Sequence, residues 1–172
     1  GSSVGITKVK DRVGLRSALE NAARYDCRLL VEEGIDCREL ETAVLGNQNP
    51  KVSGVGEIIP SAEFYDYNAK YFDGGKSRLC IPADISDEKV KEIQDIALKA
   101  YKLLDCSGYA RVDFFMEKST GKILLNEINS IPGFTKYSMF PLLWGEAGIA
   151  YPDLIERIVK LGYERYNAKN SR

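Results

Sequence analysis

The chain contains no histidine. That absence removes Ser-His and Cys-His nucleophilic pairs, histidine-ligated zinc and histidine general bases, leaving carboxylate, lysine, arginine and metal chemistry. Cysteine is sparse and unpatterned: Cys27, Cys37, Cys80 and Cys106 show no C-x-x-C spacing. A disulfide scaffold is therefore not expected, and the four read as reduced thiols of a cytosolic protein. No apolar run approaches the roughly 20 residues that span a bilayer, and the first residues lack the charged and apolar stretches of a signal peptide. Charge of one sign is also missing, since 24 lysines and arginines stand against 25 aspartates and glutamates. With no long basic run, a general nucleic-acid surface is not expected, and anionic ligands would have to be held by local groups. The expectation is a cytoplasmic protein with no nucleic-acid and no membrane partner.

What is present is ordinary for a globular domain. With 172 residues, 44% hydrophobic and 28% charged, the chain can bury one sizeable core, or one core and a small lobe. The pattern predicts a short strand near Ile6 to Val9 and a helix over about Val13 to Tyr25, where Leu15, Ala18, Leu19 and Ala22 recur at helical spacing. Strands are predicted at Arg28 to Glu32, Glu39 to Leu45 and Gly54 to Ile59, followed by a long irregular loop from Pro60 to Ala83. Val90, Ile93, Ala97, Ala100, Tyr101 and Leu104 mark an amphipathic helix with Ser86 or Asp87 at its N-cap. The chain ends with a helix from about Met139 to Ala147 and another opened by Pro152. Together these predict an α+β fold with mainly antiparallel strands.

The richest stretch lies between Tyr109 and Met139. Alternate side chains of a strand share a face, so Arg111 and Asp113 point one way while Ala110, Val112, Phe114 and Met116 point the other. The same count pairs Glu127 with Asn129 and sets Leu124 and Ile128 opposite. Glu117 to Lys122, with Gly121 inside it, makes a turn that joins the two runs as an antiparallel hairpin. If opposed residue numbers sum to about 240, Asp113 faces Glu127 and Arg111 faces Asn129. Two readings of that patch stand side by side. It is a solvated hairpin face carrying an ordinary ion pair, or it is a site where oxygen donors from Asp, Glu and Asn hold Mg²⁺ and substrate phosphates complete the shell.

The order Arg111-x-Asp113, Glu127-x-Asn129-x-x-Pro132-Gly133 and Ser138-Met139 resembles the C-terminal half of the ATP-grasp ligases. It is most similar to the D-alanine–D-alanine ligase family, which includes D-Ala-D-Ser and D-Ala-D-lactate ligases. Gly1-Ser2-Ser3-Val4-Gly5, Glu32-Glu33-Gly34-Ile35 followed by Glu39, and the stretch Tyr65 to Tyr71 agree in order and spacing, from Gly1 to roughly Lys160. The resemblance implies an ATP-grasp C-terminal lobe, with residues 1–35 ending the central subdomain and residues 36–172 forming the C-terminal one.

It also implies roles. The loop holding Ser3 and Val4 would close over ATP phosphates, and Ser2 would help position the first substrate. Glu32 and Glu33, with the backbone near Ile35, would meet adenine, and Glu39 the ribose. Lys70 would reach the terminal phosphate and Tyr71 would join a network ordering the loop around it. Asp113, Glu127 and Asn129 would hold two Mg²⁺ ions, with Mn²⁺ able to substitute. Arg111 would stabilise the transferring phosphoryl group, the Gly133 N–H would serve the oxyanion, and Ser138 with Met139 would bind the second substrate's carboxylate. The implied reaction joins D-alanine to a second D-amino acid through a D-alanyl phosphate for peptidoglycan. A D-Ala-D-Ser ligase of glycopeptide resistance and a non-catalytic Mg-nucleotide module are the alternatives. A homodimer is the family expectation. The family's N-terminal region is missing from the sequence, so the chain reads as a fragment, inactive alone and completed by the rest of its polypeptide.

Overall fold

The computed structural model describes residues 4–59 and 78–171. They fall into two compact units, residues 4–36 and residues 37–59 with 78–171. Among the described residues no helix is long and apolar enough to cross a membrane.

Among its described residues the first unit holds one helix, α1 (Arg12–Ala22), started by Asp11, whose carboxylate accepts the Gly14 N–H at 2.9 Å. Gly5 sits at φ 78° against the Tyr25 ring, where a Cβ would stand 2.7 Å from Cδ2, so only glycine fits that turn. The strands predicted near Ile6 to Val9 and at Arg28 to Glu32 do not form. A strand exists as part of a hydrogen-bonded ladder, and the described residues of this unit set no partner beside either segment.

The second unit is built on a five-stranded antiparallel sheet: β1 (Cys37–Leu45), β2 (Lys51–Ile59), β3 (Arg78–Cys80), β4 (Tyr109–Glu117) and β5 (Ile123–Asn129). Their order across the sheet is β3-β2-β1-β4-β5, so the hairpin formed by β1 and β2 is joined to that of β4 and β5 through a long-range pairing. The short β3 lies inside a stretch that sequence pattern reads as irregular. One face of the sheet carries Leu40, Val44, Val55, Ala110, Val112 and Phe114 against α2 (Asp87–Leu103), whose Ile93, Ala97 and Tyr101 complete the main core. Ser86 caps that helix, as its position before the apolar periodicity predicts. The opposite face receives α3 (Met139–Glu146), which buries Met139, Phe140, Leu143 and Trp144. The chain continues into α4 (Tyr151–Asn170), with Pro152 in its first turn.

Three local devices fix the sheet. Arg38 reaches diagonally to Glu57, donating from Nε to Oε1 at 2.7 Å and from Nη2 to Oε2 at 2.6 Å, and also to the Asp84 carbonyl at 3.0 Å. That fork ties β1, β2 and the segment after β3 together. The β1–β2 register shifts between Thr42 and Val44, and the Ser53 hydroxyl accepts the Ala43 N–H there at 2.9 Å. At the other end, Tyr101 donates to the Gly46 carbonyl at 2.9 Å, and Asn47 bridges the Gly108 N–H and the Leu161 carbonyl. Burial pushes the Tyr101 phenol above its ordinary pKa, so it remains a neutral donor.

The helix α2 ends in a left-handed turn at Asp105, φ 51°. Cys106 N–H returns to the Tyr101 carbonyl at 3.0 Å and Asp105 N–H to that of Lys102 at 3.1 Å, the paired bonds of a Schellman cap. An L-residue with a Cβ is strained there, whereas glycine is not. Asp105→Gly is therefore expected to stabilise the protein by about 0.5 kcal/mol, the relief of strain exceeding the added freedom of the unfolded chain. Urea unfolding beside the parent protein checks the sign.

The β4–β5 hairpin has the register that spacing predicts around the polar patch: Arg111 opposes Asn129 and Asp113 opposes Glu127. Beyond Asp113 the register shifts, and Phe114 opposes Leu125, leaving Asn126 as an extra residue. The predicted alternation thus holds only on one side of the bulge. Ile123 belongs to the main core, with Ile128 packed against the same cluster, while Leu124 pairs with Phe115 and not with the Ile128 face.

Candidate functional site

The candidate site lies on the sheet face away from α2, in the second unit. Three adjacent strands each place a carboxylate in one row: Glu41 on β1 opposes Asp113 on β4, which opposes Glu127 on β5. Arg111, two residues before Asp113 and hence on the same face, lies between them. Its Nε donates to Asp113 Oδ1 at 2.7 Å and its Nη2 to Asp113 Oδ2 at 2.7 Å, a two-point fork. The same Nε stands 3.0 Å from Glu41 Oε2.

Glu41 is 5% exposed and Asp113 9%, so these charges sit largely out of water. Such a cluster is tolerated only when its members are paired. Burial draws the Arg111 guanidinium toward its neutral form. The hydrogen bonds to Asp113 and the charges of Glu41, Asp113 and Glu127 outweigh that pull, and its pKa stands above the ordinary arginine value. Arg111 is therefore a permanent cation. Arg111 thus lies among three carboxylates, those of Glu41, Asp113 and Glu127, a row of hard oxygen donors of the kind a divalent cation seeks.

The donor chemistry fits magnesium: two carboxylates and an amide, all hard oxygen ligands. Among the described residues no three Asp, Glu, Cys or His side chains converge as a ready metal cage. Mg²⁺ ordinarily needs none, because water and substrate phosphates supply much of its shell. Asn129 is half-buried at the end of β5, where its Oδ1 accepts the Ile131 N–H at 3.2 Å and bends the chain into the next loop.

That loop brings Gly133 and Ser138 together. A Cβ on Gly133 would stand 3.1 Å from Ser138 Oγ, so a side chain there would crowd the hydroxyl. Ser138 occupies the N-cap position of α3, yet its side chain makes no cap bond. Its Oγ instead accepts the Thr135 N–H at 3.0 Å and meets Thr135 Oγ1 at 3.0 Å. The first N–H groups of α3, Met139 among them, form a donor-rich end of the kind that attracts carboxylates. An aromatic cluster seats the loop: Phe134 and Phe140 centroids are 5.7 Å apart, Tyr109 and Phe140 5.4 Å, Phe134 and Tyr151 5.5 Å. The Tyr151 hydroxyl donates to the Phe134 carbonyl at 2.7 Å. Met139 is buried beneath, and its Sδ would be 2.6 Å from a Cβ on Gly56. Gly56 is thus the gap that lets α3 settle on β2.

The remaining sequence candidates divide. Glu39 lies on β1 two residues from Glu41 and shares its face, half-buried. Glu32 and Glu33 are exposed and Ile35 half-buried in an irregular segment of the first unit, and Val4 is in a turn at its start. Ser2, Ser3, Lys70 and Tyr71 fall outside the described residues. Sequence reasoning missed Glu41 and Gly56. The signal for Glu41 was the Glu39-x-Glu41 alternation, but the pairing of β1 with β4 was needed to see which row it joins.

Comparison with known proteins gives a consistent answer. The family described as D-ala D-ala ligase C-terminus matches residues 1–160. The D-alanine–D-alanine ligase of Thermoanaerobacter pseudethanolicus is 58% identical over 169 residues, covering 98% of this chain and 47% of the relative. Among solved structures, the D-alanine-D-alanine ligase from Coxiella burnetii superposes with a TM-score of 0.86 at 41% identity, over 99% of this chain and 44% of that one. The VanG D-Ala:D-Ser ligase from Enterococcus faecalis gives a TM-score of 0.82 at 41% identity, over 94% and 46%. The chain therefore spans about half the length of the proteins it matches.

Proposed function

The chain belongs to the family of D-alanine–D-alanine ligase C-terminal domains, and from that premise we propose that the whole protein joins D-alanine to a second D-alanine at the expense of ATP. The observation that carries the reading is the row of Glu41, Asp113 and Glu127 with Arg111 in its midst, beside the Gly133–Ser138 loop. In the proposed reaction a D-alanine carboxylate oxygen takes the terminal phosphoryl group of ATP, releasing ADP. The amine of the second D-alanine then forms a bond to the acyl carbon, phosphate leaves, and the amine gives up a proton.

Asp113, Glu127 and Asn129 would hold Mg²⁺, which when bound neutralises phosphate charge. The other roles belong to the chain's own groups. Arg111, charged at any working pH, holds negative charge on the transferring phosphoryl group and then on the tetrahedral species. Gly133 offers its N–H without a side chain in the way, and Ser138 with the Met139 N–H holds the second carboxylate. Glu39 is assigned to the ribose, and Glu32, Glu33, Ile35, Ser3, Val4 and Lys70 to the nucleotide, with Ser2 and Tyr71 ordering the first substrate and its covering loop. The products point to a cytoplasmic step of peptidoglycan precursor synthesis, in a polypeptide whose other half completes the site.

D-serine as second substrate is the alternative that the likeness to the VanG D-Ala:D-Ser ligase favours. The test is ADP release by the full-length protein with Mg-ATP and D-alanine, then with D-serine added, beside Glu127→Gln. D-alanine-dependent turnover that falls at least about 100-fold in the variant is the expected result. Nucleotide binding without turnover with either amino acid would refute the ligase assignment.

A further inference from the structure

We infer that Glu41 is a positioning residue, the pivot that keeps Arg111 seated when its fork leaves Asp113. The inference rests on the ligase reading of the same site. In the structure Arg111 spends both Nε and Nη2 on the two oxygens of Asp113. A carboxylate engaged at both oxygens by a guanidinium has a lone pair fewer on each to offer a cation, and a divalent ion beside Asp113 repels Arg111. In the proposed sequence the fork loosens as Arg111 turns to phosphate and Asp113 to the ion. When they part, the guanidinium needs a counter-charge that stays behind.

Glu41 is placed for that task. Its Oε2 is 3.0 Å from Arg111 Nε, its side chain is 6% exposed, and it projects from β1, the middle strand of the sheet. A contact at Nε leaves both Nη groups free to swing toward a phosphoryl oxygen, because the guanidinium is a planar fork that can be held at one corner. The central strand also makes the pivot stiffer than a loop residue would be. Sequence reasoning gave Glu41 no role, and its near neighbour Glu39, assigned to ribose, lies opposite Phe115 and not opposite the polar pair.

The test uses the full-length protein with Glu41→Gln, Glu41→Asp, Arg111→Gln and the double variant Glu41→Gln/Arg111→Gln. Two readouts are taken: the split between kcat and KM for ATP, and Mn²⁺ binding in the presence of ADP, followed by electron paramagnetic resonance without turnover. Glu41→Gln is expected to lower kcat about 10-fold with KM for ATP within about two-fold, and to weaken Mn²⁺ binding about five-fold, since Arg111 then stays on Asp113. Glu41→Asp, which keeps the charge and loses the reach, is expected to behave like Glu41→Gln. In the Arg111→Gln background, removing Glu41 is expected to change both readouts less than about two-fold, because there is nothing left to position.

Equal losses in both backgrounds, or full function in Glu41→Asp, would overturn the pivot and make Glu41 a plain negative charge. A Glu41→Gln variant indistinguishable from the parent in both readouts would also overturn it. Absence of D-alanine-dependent turnover in the parent would instead overturn the ligase reading, while the Mn²⁺ arm would still decide the pivot.

Discussion

Arg111→Gln in the full-length protein is expected to lower kcat by about 10³-fold, the scale seen when a cationic group facing a transferring phosphoryl group is removed. The loss falls mainly in kcat, because a charge that meets the phosphoryl group as it transfers acts more on the transition state than on the bound substrate. Stability falls as well. Asp113 is almost wholly buried against the guanidinium that forks it, and leaving a buried carboxylate without that cation costs about 3–5 kcal/mol. Added Mg²⁺ with ADP is expected to recover part of that stability, since the ion can supply the missing positive charge. Steady-state kinetics and thermal unfolding with and without Mg-ADP check both arms. A variant with unchanged kcat would remove Arg111 from the reaction.

Phe140→Ala is expected to cost about 3–5 kcal/mol. The ring is wholly buried and touches both Tyr109 at the start of β4 and Phe134 in the loop carrying Gly133 and Ser138. Removing it opens a cavity under that loop as well as weakening the seat of α3 on the sheet. Under the proposed ligase reading, KM for the second D-amino acid is therefore expected to rise more than KM for ATP, because Ser138 and the first N–H groups of α3 lose their backing while Arg111 and Asp113 do not. Urea unfolding followed by circular dichroism measures the first effect, and substrate titrations at saturating ATP the second.

Local features of the fold were legible in the sequence and long-range ones were not. Helices α2 and α4 followed from apolar periodicity, with Ser86 ahead of the one and Pro152 in the first turn of the other, and α3 from a helical segment stopped near Gly148. The β4–β5 hairpin followed from a short turn and alternation, and so did the facing of Asp113 with Glu127. Nothing local announces that β1 lies beside β4, so the third carboxylate of the row stayed hidden until the sheet order was known. Segments 6–9 and 28–32 have the composition of strands, but β propensity is realised only against a neighbouring strand. The predicted roles of Glu32, Glu33 and Ile35 concern a segment of the first unit that the second unit's geometry does not inform. Family resemblance carried those roles, since exposed glutamates on an irregular segment have no physical signature of their own.

The extra residue at Asn126 gives the hairpin an unusual arithmetic. Ile123 and Ile128 are five positions apart, yet both serve the main core, a combination that regular alternation forbids. With Asn126 left out, the run Ile-Leu-Leu-Glu-Ile-Asn would alternate without a break, and every side chain would keep the face it now has. The strand is thus one residue longer than its pattern requires. A bulge tightens the local twist and re-aims the residues beside it, and the residue beside it here is Glu127. Length at this position is therefore a steering variable: losing Asn126 would turn Glu127 relative to Asp113 while leaving every residue of the site in place.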